Sequence, residues 1–161
     1  MIETIEQLDD ALSDPPPYLV EVFRKLEGDV LVLGAAGKMG PTLTRMAQRA
    51  AEAAGTRRRV IAASRFSNPA EEQKLQKWGI ETRRGDLLNE SFLHSLPDVP
   101  NVVYMAGMKF GSTGNESLTW AMNSHLPALV CRKFKGSRIA AFSTGNVYGL
   151  SSAVRGGSVE S

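Results

Sequence analysis

The stretch that decides the fold is Asp29-Val30-Leu31-Val32-Leu33-Gly34-Ala35-Ala36-Gly37-Lys38-Met39-Gly40-Pro41. Its first part is continuously apolar, the pattern of a strand buried on both faces of a sheet. It leads directly into Gly34-x-x-Gly37-x-x-Gly40. Each glycine has its own physical task. Gly34 permits a tight turn, Gly37 lets the backbone approach a pyrophosphate, and Gly40 lets the following helix pack against the sheet. Pro41 falls in the first helical turn, where its missing N–H does little harm. The free N–H groups and positive dipole end of that helix suit phosphate. A strand before the glycines and a helix after them favour a dinucleotide-binding turn over a tight strand–helix turn with no ligand. Gly34, Gly37, Lys38, Met39 and Gly40 are therefore the expected cofactor contacts of this turn.

Working outward, the chain alternates. A helix is expected over residues 38–54, a strand over 59–63, a helix over 69–78 and a strand over 80–84. A short helix follows over 89–96, with Asn89 as its N-cap. Then come a strand over 101–105, a long helix over 116–134 that Pro127 should kink, and a strand over 138–143. This alternation predicts a parallel α/β sheet with right-handed crossovers. The expected architecture is a Rossmann-like three-layer sandwich of strand order 3-2-1-4-5, with the ligand at the carboxyl ends of the strands where the order reverses. Ahead of it, Ile2, Ile5, Leu8 and Leu12 recur at helical spacing and predict a short amphipathic helix over 3–13. Pro15, Pro16 and Pro17 end it. A second helix over 18–26 has Leu19, Val22, Phe23 and Leu26 on one face. Residues 1–28 form an extension, 29–150 the nucleotide-binding domain, and the Gly/Ser-rich residues 151–161 a loop.

Composition bounds the rest. The chain has 161 residues, 42% hydrophobic and 22% charged, with a formal net charge of +2. That fits one compact domain and excludes a collagen, a coiled coil or a disordered chain. Cys131 is the single cysteine, so no internal disulfide forms, and a reducing, cytoplasmic location is expected. With His94 and His125 the only histidines, no metal-ligand spacing exists. The acidic N-terminus does not have the form of a signal peptide, and no run is long enough to span a membrane. Arg57, Arg58 and Arg59 are the only dense basic run. A solvated strand edge accounts for them better than nucleic-acid binding.

The second strand ends Ala62-Ala63-Ser64-Arg65-Phe66. A dinucleotide site usually places an acid about 20 residues after the glycines to bind the adenosine ribose. None is present here. Arg65, with the Ser64 hydroxyl beside it, suits a 2′-phosphate instead, which leans the cofactor toward NADP. A solvated loop arginine is the plain alternative.

At this point the chain resembles the extended short-chain dehydrogenase/reductases, the NAD(P)-dependent epimerase/dehydratase group. The resemblance covers residues 29–149. It rests on the glycine turn, on Gly85-Asp86-Leu87, on Met105-Ala106-Gly107-Met108-Lys109, and on Ser143-Thr144-Gly145-Asn146-Val147-Tyr148-Gly149. The resemblance implies an adenine pocket at Asp86 and Leu87. It also implies that Ala106, Gly107 and Lys109 pass beside the nicotinamide ribose. Thr144 falls at the catalytic Ser/Thr, and Asn123 at the active-site Asn of the long helix. Plainer roles remain open: Asp86 capping the helix near Asn89, Thr144 satisfying loop backbone, Asn123 bracing a helix face, Lys109 in solvent. By resemblance, the substrate is a small molecule, with a sugar nucleotide leading.

The family's acid/base is a Tyr-x-x-x-Lys pair, in which the lysine lowers the phenol pKa. The tyrosines here are Tyr18, Tyr104 and Tyr148, and the residues four further on are Val22, Met108 and Ser152. No pair exists. The simplest expectation is that the chain is the N-terminal part of a longer enzyme, binding dinucleotide weakly and catalysing nothing alone. The rival is a non-catalytic dinucleotide sensor. An exposed sheet edge that drives homodimer formation is a third reading.

Overall fold

The computed structural model describes residues 1–108, 113–143, 151, 152, 154, 156 and 157. Five parallel strands, β1 (Val30–Leu33), β2 (Val60–Ser64), β3 (Glu81–Arg84), β4 (Asn101–Tyr104) and β5 (Arg138–Ala141), lie in the order β3-β2-β1-β4-β5. This is the order expected. In the centre, Val30 stands beside Val60 on one side and Asn101 on the other. The apolar run of β1 is buried along its whole length, as a strand covered on both faces must be.

The helices are α1 (Ile5–Leu12), α2 (Pro17–Lys25), α3 (Gly40–Ala53), α4 (Pro69–Lys77), α5 (Glu90–Ser95), α6 (Glu116–Trp120) and α7 (Leu126–Lys133). Alternate residues of β1 face opposite layers. Val30 and Val32 pack with Ala47, Ala50 and Ala51 of α3 and Leu75 of α4. Leu31 and Leu33 pack with Leu93 of α5 and Leu126, Leu129 and Val130 of α7. The result is the Rossmann-like three-layer sandwich. Among the described residues, nothing covers the α3-side face of β4 and β5, which forms an apolar groove of about 540 Å3 between α2 and β5, with Leu19, Met46, Val103 and Phe142 among its walls.

Element ends fall within a residue or two of the expected ones, with one exception. The single helix expected over 116–134 is three pieces: α6, a π-helical turn over Ala121–His125, and α7. Pro127 is the physical reason. Leu126 donates its N–H five residues back, to the carbonyl of Ala121. In that pattern Pro127 would serve the Met122 carbonyl, but it has no N–H. The Tyr104 hydroxyl donates to that carbonyl instead, at 3.4 Å. The proline thus acts by forcing a wider turn upstream of itself.

The N-terminal extension packs on α3. α1 opens on a capping box in which Thr4 and Gln7 serve each other's backbone N–H groups. Its amphipathicity is real, but it docks by the acidic face. Asp9 pairs with Lys74 at 2.6 Å, Asp10 with Arg45 at 2.6 Å, and Asp14 with Arg49 at 2.8 Å. Arg45 and Lys74 also lie over the Trp78 ring, at 4.4 and 5.2 Å from its centroid. The apolar stripe faces outward, with Ile5 71% exposed. A basic, aromatic seat selects the acidic side of the helix. α2 docks conventionally, through Leu19, Phe23 and Leu26.

The basic run corrects the sequence reading of a solvated strand edge. Arg57 is exposed. Arg58 is half-buried, and its Nη2 donates to the carbonyl of Phe23 at 2.9 Å and to that of Leu26. It satisfies carbonyls at the end of α2 that the helix leaves open. Burial pushes its guanidinium pKa down. Arg59 pairs with Asp29 at 2.7 Å and with Glu81 at 3.5 Å.

The inverted docking of α1 carries a test. Asp9→Ala is expected to lower stability by about 1 kcal/mol. Ile5→Ser is expected to stay within about 0.5 kcal/mol of the wild type. Urea unfolding of both variants checks the order, and the reverse ranking would place the apolar face inward.

Candidate functional site

A cleft of about 360 Å3 opens at the carboxyl ends of β1 to β4. Each strand contributes the residues just past its end: Gly34, Ala36 and Gly37 after β1, Ser64 to Asn68 at and after β2, Asp86 and Leu87 after β3, and Met105, Ala106 and Gly107 after β4. Met122, from the π turn, adds an apolar wall. The cleft therefore sits where the strand order reverses between β1 and β4, the usual ligand position in an open α/β sheet.

The three glycines of the turn separate by cause. Gly34 has φ +87°, and a Cβ there would lie 2.7 Å from the Ala106 backbone nitrogen. The close approach of the β1 and β4 ends requires its bareness. At Gly40 a Cβ would collide with the Ala35 carbonyl, so here glycine serves packing of the helix start on its own turn. Gly37 has no such conflict: an added Cβ would meet nothing nearer than the Gly34 oxygen at 3.4 Å. Gly37 lines the cleft, and no packing contact requires its bareness. No side chain caps α3, and its first turn holds no acid. This donor set of backbone N–H groups and a positive helix end fits a pyrophosphate. Lys38 and Met39 are exposed on the turn and Gly40 is buried; none of the three is among the lining residues.

Beyond β2, Phe66 adopts φ +48° and is 1% exposed. A buried aromatic in the left-handed region anchors the loop so that Ser64, Arg65 and Asn68 rim the cleft. Arg65 is exposed at that rim. Asn68 caps α4 by accepting the Ala70 N–H at 3.1 Å. Past β3, Asp86 lines the cleft while its Oδ1 accepts the Leu88 N–H at 3.0 Å. It does not cap α5; Asn89 does, accepting from Phe92 at 3.1 Å. Leu87 is 6% exposed and joins the core beneath the cleft.

Asn123 lies on the π turn and reaches the loop after β4. Met108 N–H donates to its Oδ1 at 2.8 Å, and its Nδ2 donates to the Met108 carbonyl at 2.8 Å. Both ends of the amide are engaged by one residue's backbone. Lys109 and Thr144 lie outside the described residues. Tyr104 is buried, and desolvation first, with Cys131 second, pushes its pKa up to about 12. That is opposite to what an acid/base tyrosine near neutrality needs.

Phe66, Ser67, Asn68 and Glu71 of α4 line the cleft and escaped the sequence reading. The Ser-Asn-Pro that follows Phe66 marks a turn, but no local pattern marks its left-handed backbone. Glu71 sits on a helix face, away from the strand end where the ribose acid was sought.

The family model for the NAD dependent epimerase/dehydratase family matches residues 30–160. The chain belongs to that family. A search of curated proteins returns no match. The match begins at the first residue of β1, so the α1–α2 extension lies ahead of the family's domain. The family is NAD(P)-dependent, which supports a nicotinamide dinucleotide as the cofactor. No helix among the described residues is long and apolar enough to cross a membrane, and no cluster of potential metal ligands occurs among them.

Two outcomes follow from the site's supports. The neutral Tyr104 phenol is the form the fold favours. Its contribution to stability is therefore whole below about pH 10 and is lost as pH rises through about 12. Tyr104→Phe is expected to flatten that alkaline loss in urea unfolding measured across the interval. Asn123→Ala removes two hydrogen bonds and is expected to cost about 1–2 kcal/mol. It should also speed hydrogen exchange at the Met108 amide; unchanged protection there would show that the loop is held by something else.

Proposed function

We propose that the chain is the dinucleotide-binding part of an epimerase, dehydratase or reductase acting on a carbinol carbon, with a sugar nucleotide as the substrate class. The observation that carries the reading is the cleft at the strand reversal, with the bare backbone of Gly37 on its wall and an uncapped helix N-terminus at the same turn. When bound, the nicotinamide accepts or returns a hydride at its C4.

The chain's own residues divide the remaining work. The Gly34-to-Gly40 turn, with the N–H groups of Lys38 and Met39, holds the pyrophosphate. Asp86, whose second carboxylate oxygen is not engaged by Leu88, takes the adenine amino group, and Leu87 supports the ring. Ser64 and Arg65 face the adenosine ribose and lean the site toward NADP through the guanidinium charge. Ala106, Gly107 and Lys109 line the nicotinamide ribose. Thr144 holds the substrate oxygen as its proton moves. Asn123 acts by positioning the Met105–Met108 loop rather than by touching substrate, because both ends of its amide are engaged.

The missing Tyr-x-x-x-Lys pair makes turnover by these 161 residues alone unexpected. A dinucleotide sensor remains the second reading, favoured by the same missing pair. β5 at the sheet edge, with Phe142 48% exposed just beyond it, supports pairing with a second copy.

Calorimetric titration tests the proposal. NADP is expected to bind more tightly than NAD, and Arg65→Ala to weaken NADP about tenfold with little effect on NAD. Equal wild-type affinities with an inert Arg65→Ala would remove the NADP lean. Oxidoreductase or epimerase turnover by the purified chain would overturn the expectation of inactivity.

A further inference from the structure

Two consecutive glutamates, Glu71 and Glu72, lie in the first turn of α4. Both benefit from the positive end of the helix, but their surroundings differ. Glu72 is fully employed. Its carboxylate accepts from the Thr82 hydroxyl at 3.1 Å and from Arg84 Nε at 2.8 Å, tying α4 to β3. Successive helix positions diverge by about 100°, so Glu71 is turned aside from that network. It lines the cleft. Among the described residues it forms no side-chain hydrogen bond or ion pair, and it is not paired with Arg65, which rims the same cleft.

A free carboxylate and a free guanidinium thus border one cleft on the β2 side, where the adenosine end of a dinucleotide lies if the proposed reading holds. Their demands on that end oppose each other. Arg65 attracts a 2′-phosphate. A carboxylate repels the phosphate and accepts hydrogen bonds from an unmodified ribose hydroxyl. The strand end lacks the usual acid, and the helix supplies one from outside the local motif.

We infer that Glu71 is a second determinant of cofactor choice, counterweighting Arg65 so that the cleft admits both NAD and NADP with only a small preference. The inference rests on the nucleotide reading proposed above.

Affinities of the 161-residue chain for NAD and for NADP, measured by calorimetry in wild type, Glu71→Gln and Arg65→Ala, decide it. Glu71→Gln keeps the shape and removes the charge. It is expected to raise the preference for NADP over NAD about tenfold at low ionic strength. The gain should shrink at high salt, as a charge effect between partly exposed groups must. Melting temperatures confirm that the variant is folded. An unchanged NADP-to-NAD ratio in Glu71→Gln overturns the inference, as does an equal loss for both dinucleotides. If Arg65→Ala leaves the ratio alone while Glu71→Gln moves it, Glu71 has no charge to counterweight and the inference of two opposed determinants is overturned. If the wild type binds neither dinucleotide, the nucleotide reading falls and takes this inference with it.

Discussion

The backbone of Gly34 against the backbone of Ala106 is the contact on which the rest of the structure depends. There β1 and β4 end side by side, and the chain leaves one strand for the turn and the other for the loop. A Cβ at Gly34 would require a left-handed side chain and would lie 2.7 Å from the Ala106 nitrogen. With glycine, the two strand ends converge and the cleft opens directly above them. The buried apolar run of β1 gives this contact its rigidity, because strands pair with it on both sides and helices cover both its faces.

The β4 side of the cleft depends on a defect in a helix. Pro127 lacks the N–H that would close the turn, the helix widens, and the Tyr104 hydroxyl takes up the released Met122 carbonyl. The same π turn presents Met122 to the cleft and Asn123 to the Met108 backbone. A regular helix through this segment would rotate both side chains elsewhere. The missing N–H of the proline thereby accompanies the placement of a wall and a loop, and π turns recur at functional sites.

The exterior is less closed than the interior. α3 and α4 cover β1 to β3, whereas the same face of β4 and β5 carries an open apolar groove. α1 turns its apolar stripe away from the protein because the seat below it is built of Arg45, Lys74 and Trp78. The pairs made by the exposed Asp10 and Asp14 contribute little each. Packing of α2 and the Arg58 clamp on its last carbonyls do more to hold the extension in place.

How far the sequence could be read follows from the range of each interaction. The strand order, the glycine turn and the Asn89 cap were legible, because apolar period, turn chemistry and capping are properties of a few neighbouring residues. The absence of a Tyr-x-x-x-Lys pair was legible for the same reason. The left-handed Phe66, the π turn, the acidic docking face of α1 and the employment of Arg58 were not. Each depends on a partner supplied by another element, such as Arg58 meeting the end of α2 or Asn123 meeting the loop after β4. The acid on the cleft is the clearest case. Sought at the end of β2, it comes instead from α4, because only the folded chain brings the first turn of a helix to the same rim as Arg65. Sequence alone determined the architecture and the class of ligand, through local backbone requirements. Tertiary structure decided which charges line the cleft, since the direction of a side chain depends on which neighbours are already engaged.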